Sequence, residues 1–189
     1  MQDLLEVSQL LDSKILWSLQ MQKALLDLCE IKADQKFQLL YQASVHGYKA
    51  KNFHSKCDNQ PNTLTIIKSH KGNIFGGFVA AKWKSGISWE SCPQAYIFSL
   101  VNKNKSSFKT PINVYRPFEA IHCHFDNGPC FGVGQDIHIV DRCDLGGNFC
   151  NFSSTYPHKD YFFKTPEATC ILAGAENFKV VELEVYRVL

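Results

Sequence analysis

Apolar and polar positions follow two different periods along this chain, and the change between them falls near residue 60. Before it, apolar residues recur at helical spacing. Leu4, Leu5, Val7, Leu10 and Leu11 predict a short helical extension over residues 1–12, with a seam at Ser13 that opens the main domain, residues 13–189. Ser18 is the predicted N-cap of a helix in which Met21, Leu25 and Leu28 fall at i, i+4 and i+7, ending near Ile31. A second helical piece is predicted over Asp34–Gln42, with Phe37, Leu40 and Tyr41 on one face. Val45-His46-Gly47 then turns the chain. A third, short helix is predicted over Lys51–Lys56, placing Phe53 and Cys57 one turn apart and inward.

Beyond residue 60 the pattern is extended. Thr63–Ser69, Phe75–Lys82, Ala95–Leu100, Ile112–Tyr115, Ala120–Phe125, Ile137–Val140 and Phe178–Val188 are rich in β-branched or aromatic residues, and most are bounded by Gly, Pro, Asn or Ser. In the last segment Val181, Leu183 and Val185 alternate with Glu182, Glu184 and Tyr186. That two-residue period predicts one apolar face, and an opposite face on which the glutamates are solvated or hydrogen-bonded. About seven strands behind two or three helices predict an α+β fold, a two-sheet antiparallel β-sandwich flanked by several short helices.

Composition narrows the possibilities. At 189 residues, with 45% hydrophobic and 20% charged, the chain can bury one core, and no repeat or low-complexity linker divides it. Twenty basic against 18 acidic residues leave a net charge of +2, with Arg116, Arg142 and Arg187 as the arginines. So small an excess argues against a nucleic-acid partner. The start lacks the basic and apolar regions of a secretion signal, and no run of about 18 apolar residues occurs, so neither export nor membrane insertion is expected. Eight cysteines, spread from Cys29 to Cys170 without tight pairs, are read as reduced thiols of a cytoplasmic protein.

Candidate chemistry is sparse. Gly132-Val133-Gly134 lacks the third glycine and following helix of a dinucleotide-binding turn. His122 and His124 would share one strand face at a spacing able to chelate zinc, with Cys130 or His138 completing a tetrahedron, yet no paired CxxC occurs. His54 and Cys57 are also spaced for ligation, but their helical context turns Cys57 inward. Cys123 stands between two histidines, but alternation along a strand points it away from both. Gly76 and Gly77 inside a strand predict a bulge or the close approach of another backbone or a partner. Gly128, Gly132 and Gly134 suit positive φ angles in a tight turn before the Ile137 strand.

An ordered series of motifs then accumulates. It runs from Ser13-Lys14-Ile15-Leu16 through Leu39-Leu40-Tyr41 to Gly47-Tyr48 and Phe53-His54 with Cys57-Asp58. It continues with Thr63–Lys68, Phe75-Gly76-Gly77-Phe78 with Trp83, Phe98-Ser99-Leu100, Gly128–Gly132 through Asp136-Ile137, and Glu182–Tyr186. In that order the motifs resemble the TLDc domain family of oxidation-resistance proteins. The resemblance implies a non-enzymatic module, without cofactor or metal, that protects against oxidative damage. In several members the family binds the vacuolar-type proton ATPase, so the expected partner is the pump's peripheral cytosolic sector, docked near Gly76, Gly77, Gly128, Gly132 and Gly134. The alternative is a thiol- or zinc-dependent enzyme acting directly on oxidants. Two departures stand out: His46 where the family usually has aspartate, and Asp141–Thr155, which matches no family pattern.

Overall fold

The extended segments pair into two antiparallel sheets of six strands each in the computed structural model, which describes residues 11–189. The first ten residues of the predicted helical extension lie outside the described residues. In chain order the strands are β1 (Phe37–Gln42), β2 (Thr63–Ser69), β3 (Ile74–Val79), β4 (Ser88–Glu90), β5 (Tyr96–Val101) and β6 (Phe108–Pro111). They continue with β7 (Ile121–Cys123), β8 (Asn127–Phe131), β9 (Ile137–Val140), β10 (Asn148–Phe149), β11 (Asn177–Phe178) and β12 (Val180–Val188). One sheet is ordered β1-β12-β2-β3-β5-β6 and the other β11-β10-β9-β8-β7-β4. The fold is thus an α+β sandwich with a few short helices.

Two cores hold it together. Between the sheets, Ile67, Phe75 and Ile97 meet Phe131, Ile137 and Ile139, with Phe53 and Trp83 packed edge-to-face among them. On the outer face of the first sheet, Leu64, Ile66, Phe98 and Tyr186 pack under Leu25 and Cys29 of helix α1 (Leu19–Cys29), together with Leu11, Ile15 and Leu16. Strand β2 is therefore buried on both sides, which is why Leu64, Ile66 and Ile67 form a nearly unbroken apolar run. Ser18 caps α1 as predicted, its Oγ accepting from Met21 N at 3.2 Å, and Glu30 ends the helix with a φ of 57°.

Three expectations need correction. Residues 37–42 are strand β1, and the helix that follows is α2 (Ala43–His46). The i, i+3, i+4 spacing of Phe37, Leu40 and Tyr41 was helical, but pairing with β12 supplies hydrogen bonds and burial that override so short a periodicity. Ile112–Tyr115 is not a strand: pairing ends at Pro111, and Val114 and Tyr115 are left exposed in a turn. In β12 a register shift between Val180 and Glu182 changes the phase, so Val180, Leu183 and Val185 face the inter-sheet core while Val181 is 48% exposed. The helix predicted near Phe53 is α3 (Ala50–Cys57), with Phe53 and Cys57 both buried. Helix α4 (Pro166–Ile171) was not anticipated, although Thr165 caps it and Pro166 occupies its first turn.

The bulge also leaves Glu182 and Glu184 buried. Glu184 accepts from Ser13 Oγ at 2.6 Å, Lys14 N at 2.7 Å, Gln42 Nε2 at 3.0 Å and Tyr186 OH at 3.0 Å. Glu182 accepts from Ser44 N at 3.1 Å, at the start of α2. Each carboxylate ties a peripheral segment to β12 of the first sheet, so these residues fasten structure and do not form a hydrolytic pair.

Candidate functional site

Residues with reactive chemistry converge on the outer face of the second sheet, and strand register puts them there. Trp89 of β4 lies opposite His122 of β7, Cys130 of β8 opposite His138 of β9, and His138 opposite Phe149 of β10. Phe131 pairs with Ile121, which brings Cys130 beside His122. Because neighbours along a strand point to opposite faces, these side chains form one row across the sheet while Ile121, Phe131 and Ile137 face the core. The rings stack within the row: Trp89 on His122 at 4.2 Å, and His138 on Phe149 at 4.7 Å between centroids. Cys130 Sγ lies 3.4 Å from His138 Nδ1.

Electrostatics decide what this row can do. Burial, reinforced by His122 and His124, pulls the His138 imidazole down to about 4. Burial, with the charge of Asp136 nearby, pushes the Cys130 thiol up. The pair is thus a neutral thiol beside a neutral imidazole, the opposite of the thiolate–imidazolium pair of an activated cysteine. His122 is pulled down by burial and by His124, and its Nδ1 is buried without a hydrogen-bond partner. His122 and His124 do approach, with ring centroids 5.9 Å apart. Among the described residues, however, no three of His, Cys, Asp and Glu converge as metal ligands would.

Five further thiols follow suit. All eight cysteines are free and seven are buried, Cys170 being partly exposed. Burial pushes Cys29 and Cys143 up to about 12 and Cys123 up to about 11, and raises Cys57 and Cys150 further. His54 bonds at both ring nitrogens: Nδ1 is 2.7 Å from Asp58 Oδ1, and Nε2 is 3.0 Å from the carbonyls of His124 and Asn127. It joins α3 to the β7–β8 turn. His46, where aspartate was expected, accepts from Gln42 N through Nδ1 at 3.0 Å and stacks on Tyr41.

The five glycines expected at a docking surface fall into two groups. Gly76, Gly77 and Gly128 are buried: a Cβ on Gly76 would lie 1.9 Å from the Thr65 carbonyl oxygen, and one on Gly77 2.7 Å from the Phe131 ring. One on Gly128 would sit 2.9 Å from Ile139. Gly132, with a φ of +80°, and Gly134 form the β8–β9 turn against Asp136 and Ser154. Asp136 accepts from Ser154 N at 2.8 Å, Thr155 N at 2.9 Å and Tyr156 N at 3.3 Å, yet burial outweighs these donors and pushes its carboxyl up to about 6. The unmatched segment 141–155 is thereby fixed at both ends, since Asp141 Oδ1 accepts from Ala50 N at 2.8 Å. Sequence reasoning passed over the exposed loop aromatics Tyr115, Phe162 and Phe163. Their signal was adjacent rings flanked by Lys159 and Lys164 in a stretch without strand alternation.

No helix among the described residues is long and apolar enough to cross a membrane. In comparisons with known proteins, one stretch of 79 residues is 23% identical to the mouse protein named MTOR-associated protein MEAK7; it covers 42% of this chain and 17% of that protein. The sequence profile of the TLDc domain matches residues 7–189. A match of that extent, over a sandwich carrying the motifs in order, means that the chain belongs to the TLDc domain family.

Proposed function

We propose that this chain is a non-catalytic cytoplasmic interaction module that protects against oxidative damage by binding the peripheral sector of the vacuolar-type proton ATPase and altering its assembly or activity. One observation carries the non-catalytic part: where a thiol and an imidazole meet, at Cys130 and His138, both are buried and held neutral. Docking is assigned to the outer face of the second sheet, where Trp89 and Phe125 remain exposed beside the ring row. Gly128, Gly132 and Gly134 shape that sheet and its turn, while Gly77 lets Phe131 of the second sheet pack against the first and Gly76 gives room to the Thr65 carbonyl of the neighbouring strand.

The test is capture of purified pump sector by the full chain at micromolar concentration. Retention is expected, and Trp89→Ala weakens it by about tenfold, the loss of one buried aromatic anchor. No retention rejects the reading. The partial likeness to a protein named for mTOR association supports a second partner class, the mTOR kinase assembly, which belongs in the same capture experiment. Peroxide consumption by the isolated chain would instead favour direct thiol chemistry, for which the Cys130–His138 contact is the supporting geometry.

A further inference from the structure

Away from the ring row, three loops gather at one end of the sandwich. The loop after β5 is joined to the 157–165 loop by Asn104 Nδ2 donating to Tyr161 OH at 3.0 Å. The turn after β6 is joined to the same region by Asn113 N donating to the Thr155 carbonyl at 2.9 Å. Phe163 lies beside Gly134, its ring 3.7 Å from where a Cβ on that glycine would be. Beneath them Phe108, Phe152, His158 and Tyr161 form a packed ring cluster that sets the loops' base.

The tips of these loops carry large apolar side chains in water: Val114 is 79% exposed, Tyr115 86% and Phe162 70%, with Phe163 partly covered. A soluble domain seldom leaves so many in one place without a use for them. Between them stand cations. Across residues 102–107, 113–116 and 157–165 the sequence has Lys103, Lys105, Lys159 and Lys164 against one carboxylate, Asp160, while Arg116 is paired with Glu119 at 3.4 Å. Lys164 Nζ lies 5.2 Å above the Phe163 ring, its charge held at the level of the aromatic face.

From this juxtaposition we infer that the loop tips dock the domain on an anionic lipid surface. Aromatic rings enter the headgroup boundary while lysines reach back to phosphate and carboxylate groups, the division of labour of peripheral membrane proteins. Lysine decides between lipid and protein. It is depleted from the centres of protein interfaces, whereas each basic residue near an acidic leaflet adds to attraction. The occupant is therefore a bilayer with negative headgroups, and contact is peripheral, through side chains alone. This face is distinct from the ring row assigned to the protein partner.

The test is co-sedimentation of the full chain with phosphatidylcholine vesicles, with and without phosphatidylserine. Binding to the serine-containing vesicles alone is expected, falling as added salt shortens the Debye length from about 10 Å to a few ångström. Phe162→Ser with Phe163→Ser, and separately Lys159→Ser with Lys164→Ser, each lower binding by about tenfold or more. Because Phe162, Lys159 and Lys164 are exposed and Phe163 is only partly covered, both variants stay folded, which a cooperative melting transition checks. Absence of binding, equal binding to neutral vesicles, or double variants that bind like wild type overturns the inference. Pump-sector capture with the same variants separates this from the protein reading. If vesicles fail while capture is lost with the phenylalanines, the tips are a protein contact and the lipid claim falls alone.

Discussion

At Gly76 a single hydrogen atom occupies the space in which a methyl group would strike the Thr65 carbonyl across the β2–β3 pair. Gly76→Ala therefore lowers unfolding free energy by about 3 kcal/mol or prevents folding, because the obstacle is backbone and cannot turn away. Gly86→Ala, which meets nothing within 4 Å, changes it by less than about 0.5 kcal/mol. Urea titration of both variants checks the contrast. Two buried ionisable groups make a second residue-scale prediction. Asp136 is raised from 3.8 to about 6, so its contribution to stability is full below pH 4 and lost as pH rises through 6. His138 is lowered from 6.5 to about 4, so its contribution is full above pH 6.5 and lost as pH falls through 4. Over the same window the two slopes oppose each other. Relative to the wild type, Asp136→Asn shifts the slope of stability between pH 4 and 7 upward and His138→Phe shifts it downward, each by up to about 3 kcal/mol across the window. Parallel curves for both variants would show that neither group titrates as described.

At the scale of elements, the N-terminal segment is held by one buried carboxylate. Ser13→Ala removes the 2.6 Å donor to Glu184 and also the acceptor for Ile15 and Leu16 N–H. The expected cost is about 2 kcal/mol, with faster amide exchange over residues 11–16, whereas exposed Val181→Thr leaves exchange there unchanged. The same elements show what the sequence could and could not reveal. Strands β2, β5 and β9 were legible because both packing and propensity favour them, and α1 because its cap and apolar stripe agree. Residues 37–42 were misread because six residues fit either period, and only a partner 142 to 151 positions away decides between them, as the pairing of Phe37 with Val188 and Gln42 with Glu184 shows. The ring row was half legible. His122, Cys130 and His138 stood out as residue types, but Trp89 and Phe149 join them only through register, which alternation within one strand does not encode.

For the molecule as a whole, the sandwich spends its sulfur on filling. Native-state labelling with a thiol reagent is expected to modify Cys170 first, and the seven buried cysteines only as the domain opens. Rapid modification of Cys130 under native conditions would reverse the non-catalytic reading. Under the two proposals the ring row on the second sheet takes a protein and the lysine-flanked aromatic tips of the loops take a membrane, an arrangement that allows both to be engaged together. Strand β12 comes after the other described strands in the chain, yet it lies between β1 and β2, one strand in from the edge of its sheet. While the ribosome still holds that segment, the emerging polypeptide has a gap within the sheet and two raw edges facing it. Loss of residues 180–188 would leave that gap open for good, turning the removal of a single strand into an adhesive product suited to degradation.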